Sequence, residues 1–351
     1  MMTAPRICIC GGGNIAHALA AVFSERESIS VFTRSPERWA DRISWEVESS
    51  NTMRECCYKL NPTRDLNFVA AAECLVVCVP RFAMRDLLNT IDSAVHCGQT
   101  VFFIPGPAGM EEIVGGYLAR GIDTVGFQRS PFVARIREYG HSVWVSGVRS
   151  VSRLAFSRVE IAGRWIRFAE RIIGGRMETL SSFLTFTFSN SNPLLHPCRL
   201  VELLKGGRNG VYDNCPFFYR DWTDVSSRLY MQADKEMYRA FMTYASESDV
   251  ADYESALSHY ESATPEELTI KIQGIESLKS IAAPWKRDAD GLWRPDFASR
   301  YFTEDIPYGT QVIKDYAAAK HIQTPTIDFL ISAVQEACEN HEGWLEEMAY
   351  G

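Results

Sequence analysis

The sequence predicts a doubly wound α/β domain followed by an all-helical domain, and three observations lead to this prediction. Strand-like and helix-like segments alternate through the first half of the 351 residues. A glycine turn, Gly11-Gly12-Gly13, joins the first predicted strand to the first predicted helix. From about Asn190 helical periodicity dominates, and the length exceeds what one hydrophobic core usually supports. We therefore expect two domains, residues 1–189 and residues 190–351.

The elements of the first domain follow from local patterns. Apolar runs bounded by turn residues indicate strands, and apolar residues at helical spacing indicate a helix. These rules predict a helix from Asn14 to about Ser24, directly after the glycine turn. They also predict six strands: Arg6 to Cys10, Ser28 to Thr33, Ala72 to Val79, Thr100 to Ile104, Asp123 to Gly126 and His141 to Val148. Such alternation indicates a mostly parallel sheet with helices on both faces.

The elements of the second domain are predicted to be helices alone. A Ser/Asn/Pro cluster follows the apolar run Phe183 to Phe188 and marks the expected boundary. Helical periodicity is clearest in four segments: Val225 to Ser246, Tyr253 to His259, Thr264 to Ala282 and Ile327 to Met348.

Composition excludes several functional classes. The formal net charge is −8 and no run of Lys and Arg occurs, which argues against nucleic acid or an anionic membrane as a partner. The first apolar stretch, Ile7 to Cys10, ends at once in glycine, so neither a signal peptide nor a membrane span is expected there. Several of the ten cysteines lie in apolar runs, which favours free thiols and a cytoplasmic location. Cys74 and Cys78 lack a second ligand pair, so no metal is expected.

The glycine turn carries the pattern G-x-G-x-x-A, from Gly11 to Ala16, between a strand and a helix as a Rossmann dinucleotide site requires. Gly11 would make the tight turn, and Gly13 would let the backbone approach the pyrophosphate. Asn14 and Ile15 begin the helix whose positive end faces the phosphates, and Ala16 would allow close helix–strand packing.

The second strand ends in Thr33-Arg34-Ser35, where NAD sites place an acidic residue that binds the ribose hydroxyls. A guanidinium and two hydroxyls suit a 2′-phosphate instead, so NADP(H) is favoured over NAD(H). Arg38, one helical turn further on, is a possible second cation, although a surface arginine without a specific role is the alternative. Pro80 follows the third predicted strand at the ligand-binding edge and is expected to border the nicotinamide.

A catalytic candidate lies at the expected domain junction. The segment Asn190-Ser191-Asn192-Pro193-Leu194-Leu195-His196-Pro197 holds one histidine between two prolines. His196 is therefore the preferred acid/base candidate among seven histidines, with a helix-cap or core histidine as the alternative. A second segment, Ser299 to Gly309, contains Arg300, Glu304 and Asp305.

Together these motifs resemble the opine dehydrogenase family. The resemblance rests on the glycine turn, on Gln128 to Arg135 with Gly140 and Val145 to Val148, on Asn192-Pro193-x-x-His196-Pro197, and on Arg300 to Pro307. It implies reductive condensation: the amine of an amino acid attacks a 2-oxo acid such as pyruvate, water leaves, and hydride from NAD(P)H reduces the imine. The product is a secondary-amine dicarboxylate.

The resemblance also implies roles for individual residues. His196 and Asp305 would form the acid/base pair, since an aspartate on one imidazole nitrogen fixes the tautomer and stabilises the protonated ring. Arg300 would bind a substrate carboxylate, with a structural ion pair as the alternative. Asn192 would bind the oxo acid or orient His196, unless it is only a turn residue. Gln128 stands where many members carry an acid, which puts in doubt a salt bridge to a cationic amino acid.

Other assignments have more than one interpretation. Tyr219, Trp222, Trp285 and Trp293 are candidate walls of the substrate pocket, although aromatic residues are more often core. A glycerol-3-phosphate or 2-hydroxyacid type dehydrogenase would share the domain layout and would turn over an oxo acid without an amine. A non-catalytic NADP(H) sensor would bind the nucleotide without oxidising it. A homodimer is possible by analogy with other two-domain dehydrogenases.

Overall fold

In the computed structural model, residues 5–47 and 52–349 are described. The chain forms two compact units, Met1–Phe186 and Thr187–Gly351. The division lies three residues before the boundary predicted after residue 189.

The described residues of the first unit form twelve strands. In chain order they are β1 (Ile7–Cys10), β2 (Ile29–Phe32), β3 (Ser44–Val47), β4 (Thr52–Glu55), β5 (Leu60–Thr63), β6 (Cys74–Val77), β7 (Thr100–Phe103), β8 (Asp123–Phe127), β9 (Phe132–Glu138), β10 (Ser142–Val148), β11 (Val151–Phe156) and β12 (Arg176–Thr179). Its helices are α1 (Asn14–Ser24), α2 (Leu66–Ala71), α3 (Arg81–Ile91), α4 (Met110–Ala119), α5 (Ala162–Ile173) and α6 (Leu184–Phe188), of which α6 runs across the division. Short 3₁₀ turns cover Pro36–Arg38, Asp92–Ala94 and Val159–Ile161.

The main sheet has eight strands in the order β12-β11-β8-β7-β6-β1-β2-β5. The six strands from β8 to β5 run parallel, and β11 pairs antiparallel with β8. Their order is that of dinucleotide-binding domains, in which the strand order reverses beside β1. Alternate residues of β1 enter different cores, Ile7 and Ile9 on one face and Cys8 and Cys10 on the other. The predicted sheet with both faces covered is confirmed.

A second sheet was not predicted. It has four strands in the order β4-β3-β10-β9, and α1 packs against β9 and β10. The segment His141 to Val148 was correctly predicted as a strand, but its place in the main sheet was wrong, because β10 pairs with β3 and β9.

The second unit is mainly helical, as predicted. Its helices are α7 (Asn192–Lys205), α8 (Asp224–Phe241), α9 (Glu247–Asp252), α10 (Ala256–His259), α11 (Pro265–Gly274), the π-helical segment Tyr301–Thr310, α12 (Gln311–Ala319) and α13 (Pro325–Ala349), with a 3₁₀ turn at Glu276–Leu278. An antiparallel hairpin of β13 (Trp285–Arg287) and β14 (Trp293–Pro295) departs from the expected all-helical domain. The predicted helix from Thr264 to Ala282 was too long, since α11 ends at Gly274.

Across residues 5–47 and 52–349, the structure contains no helix with both the length and the apolar character that a membrane span requires.

Candidate active site

The glycine turn follows β1 at the point where the strand order reverses. Gly11 has φ +148°, and a Cβ there would lie 2.8 Å from the carbonyl oxygen of Cys78. Gly13 is the N-cap of α1 and supplies no side-chain cap, and no atom lies within 4 Å of its ideal Cβ position. Ala16 is fully buried. The space beside Gly13 is therefore open, and the first N–H groups of a helix have no partner within the helix, which fits the pyrophosphate of a dinucleotide.

Side chains of α1 tie this turn to the second sheet. The Oδ1 atom of Asn14 accepts a hydrogen bond from the Ile136 N–H at 2.9 Å. The Gly140 N–H donates to Nε2 of His17 at 2.7 Å, so Nδ1 carries the proton that His17 donates to the Gly13 carbonyl at 2.9 Å. Burial lowers the pKa of His17 to about 4. The Asn14 side chain thus has a structural partner, and sequence analysis did not identify His17.

The carboxyl end of β2 presents the predicted ribose-binding residues. Arg34 is exposed, whereas Thr33 is buried and its Oγ1 accepts a hydrogen bond from the Ser35 N–H at 3.5 Å. Arg64, which follows β5, donates from Nε and Nη2 to the Arg34 carbonyl at 2.9 and 2.5 Å. Arg64 also pairs with Glu37 at 2.8 Å. Sequence analysis missed Arg64 because its strand was not predicted.

The first unit also contains Arg38, Pro80 and Gln128, which were predicted to contact the cofactor or the substrate. The Arg38 guanidinium lies 4.2 Å from the ring centroid of Tyr139, a cation–π contact. Pro80 is the N-cap of α3 and follows the last residue of β6, Val77, by three residues. Gln128 is buried, and its Nε2 donates to the Thr185 carbonyl at 3.5 Å.

In the second unit, His196 lies inside α7, between Pro193 and Pro197. Pro193 fits the first turn of a helix, where its missing N–H is not needed. Pro197 cannot donate to the carbonyl four residues earlier, so the Pro193 carbonyl loses its helical partner. The Thr310 hydroxyl donates to that carbonyl instead.

The partner of His196 comes from the π-helical segment. This segment approaches α7 closely, since a Cβ on Gly309 would lie 2.8 Å from Cγ of Pro193. Besides the bond to Pro193, the Thr310 hydroxyl lies 3.3 Å from the Asp305 carbonyl oxygen. π-helical turns are rare and are often found at functional sites. Here the turn brings Asp305 onto α7.

His196 and Asp305 form a buried pair. Nδ1 of His196 lies 2.7 Å from Oδ2 of Asp305, and the two residues are 6% and 9% exposed. Nε2 of His196 lies 2.9 Å from the Tyr219 hydroxyl, and the Tyr301 ring centroid lies 4.4 Å from that of the imidazole. Burial, followed by the neighbouring Tyr301, raises the pKa of Tyr219 well above its usual value. Sequence analysis named Tyr219 only as a pocket wall and missed Tyr301.

The segment that carries Tyr219 is held by a buried cation on α7. Arg199 donates from Nε to the Phe218 carbonyl at 3.2 Å and pairs with Glu202 at 3.1 Å. The Phe218 N–H donates to the Ile281 carbonyl at 2.9 Å. These bonds fix the position of Tyr219 against His196.

The predicted substrate-binding residues of the second unit differ in their exposure to solvent. Asn192 is partly exposed. Because it lies four residues before His196 on α7, both side chains occupy the same face of the helix. The Arg300 side chain is 69% exposed, and its Nε lies 3.8 Å from Glu304. Trp222 and Trp285 are buried, with their indole N–H groups bonded to Ser227 and Gly210, so they belong to the core.

Within the described residues there is no cluster of three or more His, Cys, Asp or Glu side chains that could hold a metal ion.

Two family models match the chain. The model described as NAD/NADP octopine/nopaline dehydrogenase, alpha-helical domain, matches residues 179–338, which include the His196–Asp305 pair. The model described as NADP oxidoreductase coenzyme F420-dependent matches residues 6–101, which include the glycine turn.

Whole-chain comparisons agree with these models. Octopine dehydrogenase of Pecten maximus is 28% identical, covering 94% of this chain and 90% of the relative. A solved octopine dehydrogenase with NADH and L-arginine has a TM-score of 0.80 and 25% identity, over 96% of this chain and 90% of the other. A structure with NADH and pyruvate has the same TM-score and 26% identity, over 95% and 89% of the two chains.

Proposed function

We propose a reaction for this chain on the premise that it belongs to the opine dehydrogenase family, whose members are NAD(P)-dependent oxidoreductases. The reaction is the reductive condensation of an amino acid with a 2-oxo acid to a secondary-amine dicarboxylate. The observation that carries the proposal is the buried pair of His196 and Asp305, 2.7 Å apart, within the helical domain that the family model matches.

The pair supplies acid/base chemistry. Neutral His196 removes a proton from the substrate ammonium, and the free amine then attacks the carbonyl carbon of the oxo acid. Asp305 stabilises the resulting imidazolium through Nδ1. After the attack a proton passes from the nitrogen to the carbonyl oxygen and gives a carbinolamine. His196 then returns its proton to that hydroxyl, which leaves as water and gives the protonated imine. One group thus serves as base and then as acid, as reversible condensation requires.

Binding of the two substrates is assigned to three polar side chains. We assign Arg300 to a substrate carboxylate, because its exposed guanidinium can give up the 3.8 Å contact with Glu304 for a bidentate one. Asn192 shares a face of α7 with His196 and is assigned to the oxo acid. Gln128 is assigned a neutral contact, since an amide cannot hold charge. Pyruvate is the proposed oxo acid, supported by the octopine dehydrogenase complex.

The cofactor, when bound, supplies the hydride that reduces the imine. Gly11, Gly13 and the first N–H groups of α1, at Asn14 to Ala16, would hold its pyrophosphate. Pro80, at the start of α3, lies at the same sheet edge and is assigned to the nicotinamide side.

We propose that NADP(H) is preferred over NAD(H). Exposed Arg34 and the Ser35 hydroxyl follow β2, and Arg64 adds a second guanidinium against the Arg34 backbone. Glu37 is already paired with Arg64, so its charge opposes a phosphate less. Arg38 is assigned an auxiliary role because its guanidinium is stacked on an aromatic ring.

The preference is tested by kcat/KM for NADPH and NADH in the wild type, Arg34→Ala and Arg38→Ala. Loss of a charge-assisted contact to phosphate should reduce kcat/KM for NADPH about tenfold in Arg34→Ala and leave NADH unchanged. Arg38→Ala is the matched surface control and should change the ratio less. A wild-type preference for NADH, the cofactor in the octopine dehydrogenase structures, would contradict the assignment.

The reaction itself is tested by cofactor oxidation, followed by absorbance. Pyruvate, 2-oxoglutarate and glyoxylate are each offered with and without a panel of amino acids that includes arginine. Turnover should require both substrates, and His196→Ala should lower kcat about 100- to 10,000-fold. His259→Gln is the control, because His259 also pairs with a carboxylate, Glu254 at 3.0 Å, in the same unit.

The alternatives predict different outcomes in the same assay. Turnover of an oxo acid without an amine would support a 2-hydroxyacid type dehydrogenase, and the same test with a phosphorylated ketone covers the glycerol-3-phosphate type. NADPH binding without oxidation under all conditions would support a sensor. The domain boundary after residue 189, the homodimer and the cytoplasmic location stay predictions.

A further inference from the structure

The second unit contains a cavity of about 540 Å³ between the last two turns of α7 and the segment 212–223. This volume is typical of sites that bind small molecules. Among the described residues that line it, none belongs to the acid/base pair or to the residues assigned to the substrates. The cavity is therefore distinct from the site of the proposed reaction.

The α7 wall of the cavity carries a buried cation whose donors are not all used. Arg199 lines the cavity and is 3% exposed. Its Nε donates to the Phe218 carbonyl at 3.2 Å, and its Nη1 lies 3.1 Å from Oε2 of Glu202. In the part of the chain that the structure describes, no group accepts a hydrogen bond from Nη2. Buried polar groups normally have partners, so Nη2 is suited to an acceptor that a ligand brings.

A second guanidinium lines the same cavity from the segment 212–223. Arg220 is exposed, and its guanidinium carbon lies 3.4 Å from the centroid of the Phe217 ring. Its Nε donates to Oδ1 of Asp221 at 3.3 Å, whereas its two terminal nitrogens donate to no residue within 5–47 and 52–349. Free guanidinium edges are suited to a carboxylate.

The cavity also offers a free acceptor. Glu202 uses one oxygen, Oε2, for several partners: the Thr223 hydroxyl at 2.7 Å, the Ser226 hydroxyl and Arg199. No described residue bonds to Oε1 of Glu202, and the side chain is 24% exposed. An unpaired carboxylate oxygen at a cavity wall is suited to an ammonium group.

The charges of the wall select a ligand that carries both signs. Two cations, Arg199 and Arg220, and two carboxylates, Glu202 and Asp221, line the cavity. A ligand with negative charge alone would face the two carboxylates, and one with positive charge alone would face the two guanidinium groups. A zwitterion places each charge against its complement.

We propose that this cavity is a second, non-catalytic site, which binds a free amino acid with an apolar side chain. The ligand carboxylate would lie at the guanidinium groups of Arg199 and Arg220, and the ammonium at Oε1 of Glu202. The apolar side chain would lie against Leu203 and Pro216, which also line the cavity. The proposal goes beyond the proposed function and does not depend on it.

The test uses Cys215, a partly buried thiol that lines the cavity. The full chain is alkylated with iodoacetamide, and each cysteine is followed by mass spectrometry of its peptide. Because burial raises the pKa of the Cys215 thiol, labelling is run at alkaline pH. L-Leucine or L-phenylalanine at about ten times its Kd should slow alkylation of Cys215 about tenfold, since only the unoccupied protein reacts. Cys57 and Cys97, exposed in the first unit, should react at unchanged rates.

Matched ligands test the class. N-acetyl-L-leucine lacks the ammonium group and L-leucinamide lacks the carboxylate. Each should protect Cys215 with a Kd at least about tenfold higher than that of L-leucine, because each loses one charge-assisted contact.

Matched variants test the residues. Arg220→Ala should raise the Kd for L-leucine about tenfold. Arg208→Ala is the control, because Arg208 is an exposed arginine of the same unit, 2.9 Å from Asp213, that does not line the cavity. Arg199→Lys keeps the buried charge but loses the planar fork, and it should also weaken protection. Arg220→Ala decides the test alone if Arg199→Lys does not fold.

Protection of Cys215 should persist in Arg300→Ala, because Arg300 is assigned to the substrate site. Loss of protection in that variant would overturn the second site. So would an unchanged alkylation rate with both amino acids, equal protection by N-acetyl-L-leucine or L-leucinamide, or an unaltered Kd in Arg220→Ala. Turnover plays no part in this measurement, so its result is independent of whether the proposed reaction is correct.

Discussion

The Thr310 hydroxyl is one of the groups that hold the π-helical segment against α7. Its removal is a quantitative test of how the acid/base pair is assembled. Thr310 donates to the Pro193 carbonyl, which Pro197 leaves without a helical partner. Thr310→Val keeps the shape of the side chain and removes the donor. Pro193 and Thr310 are buried, so water is not expected to replace the bond.

The magnitude follows from the loss of one buried hydrogen bond. A buried carbonyl left without a donor costs about 1–3 kcal/mol. This corresponds to opening of α7 that is roughly 5- to 150-fold more frequent, since about 1.4 kcal/mol is a factor of ten. The pairing of Asp305 with His196 should loosen with it, so kcat should fall as well.

A second substitution makes the prediction specific. Pro197→Ala restores an N–H four residues after Pro193, so the carbonyl regains a helical partner whether or not Thr310 is present. Thr310→Val should therefore cost less than about 1 kcal/mol in the Pro197→Ala background. Thr310→Ser keeps the hydroxyl and serves as the control.

Hydrogen–deuterium exchange, measured on peptides of α7 with and without each substitution, gives the local opening free energies for this cycle. An unchanged exchange rate in Thr310→Val would refute the reasoning. So would an equal cost in both backgrounds, because it would show that the Pro193 carbonyl does not need the hydroxyl.

Three further outcomes are expected. Between pH 6.5 and about 4 the unfolded chain binds a proton at His17 that the folded chain does not, so the free energy of unfolding should fall by up to about 3 kcal/mol as pH falls through that range. Urea unfolding of the wild type and of His17→Gln at several pH values measures this contribution. An equal dependence of the unfolding free energy on pH in the two proteins would contradict it. Gly11→Ala should weaken NADPH binding in fluorescence titrations, because Gly11 has φ +148° and the added Cβ would lie 2.8 Å from the Cys78 carbonyl oxygen. An unchanged affinity for NADPH would argue against the glycine turn as the cofactor site. Asp305→Asn should lower kcat about 100-fold or more with little change in KM, and an unaltered kcat would remove Asp305 from the acid/base pair with His196.

The main sheet could be predicted because its strands are buried on both faces and read as short apolar runs. The strand β6 is an example, with all four residues buried. The second sheet could not be predicted in the same way, since β9 alternates between buried and exposed residues and is rich in arginine. Its pairing with β10 and the pairing of β10 with β3 depend on contacts distant in sequence.

In the candidate site, residue types were more predictable than local structure. His196 and Asp305 were both identified, and the structure brings them together. The helix around His196 was not predicted, because two prolines normally argue against one and the rescue by Thr310 comes from 117 residues away in sequence. Tyr301 has no signal in a single sequence, since only the π-helical turn places it against the imidazole.

The bonds that α1 makes to the second sheet also bear on how the first unit is formed during synthesis. Asn14 and His17 accept hydrogen bonds from Ile136 and Gly140, partners that lie 122 and 123 residues further along the chain. The glycine turn leaves the ribosome long before these partners exist, and contacts of such separation form late and slowly. A nascent chain that ends before β9 therefore lacks the support of its own nucleotide turn. A β-α-β fragment cut from this protein should for the same reason be a poor nucleotide binder.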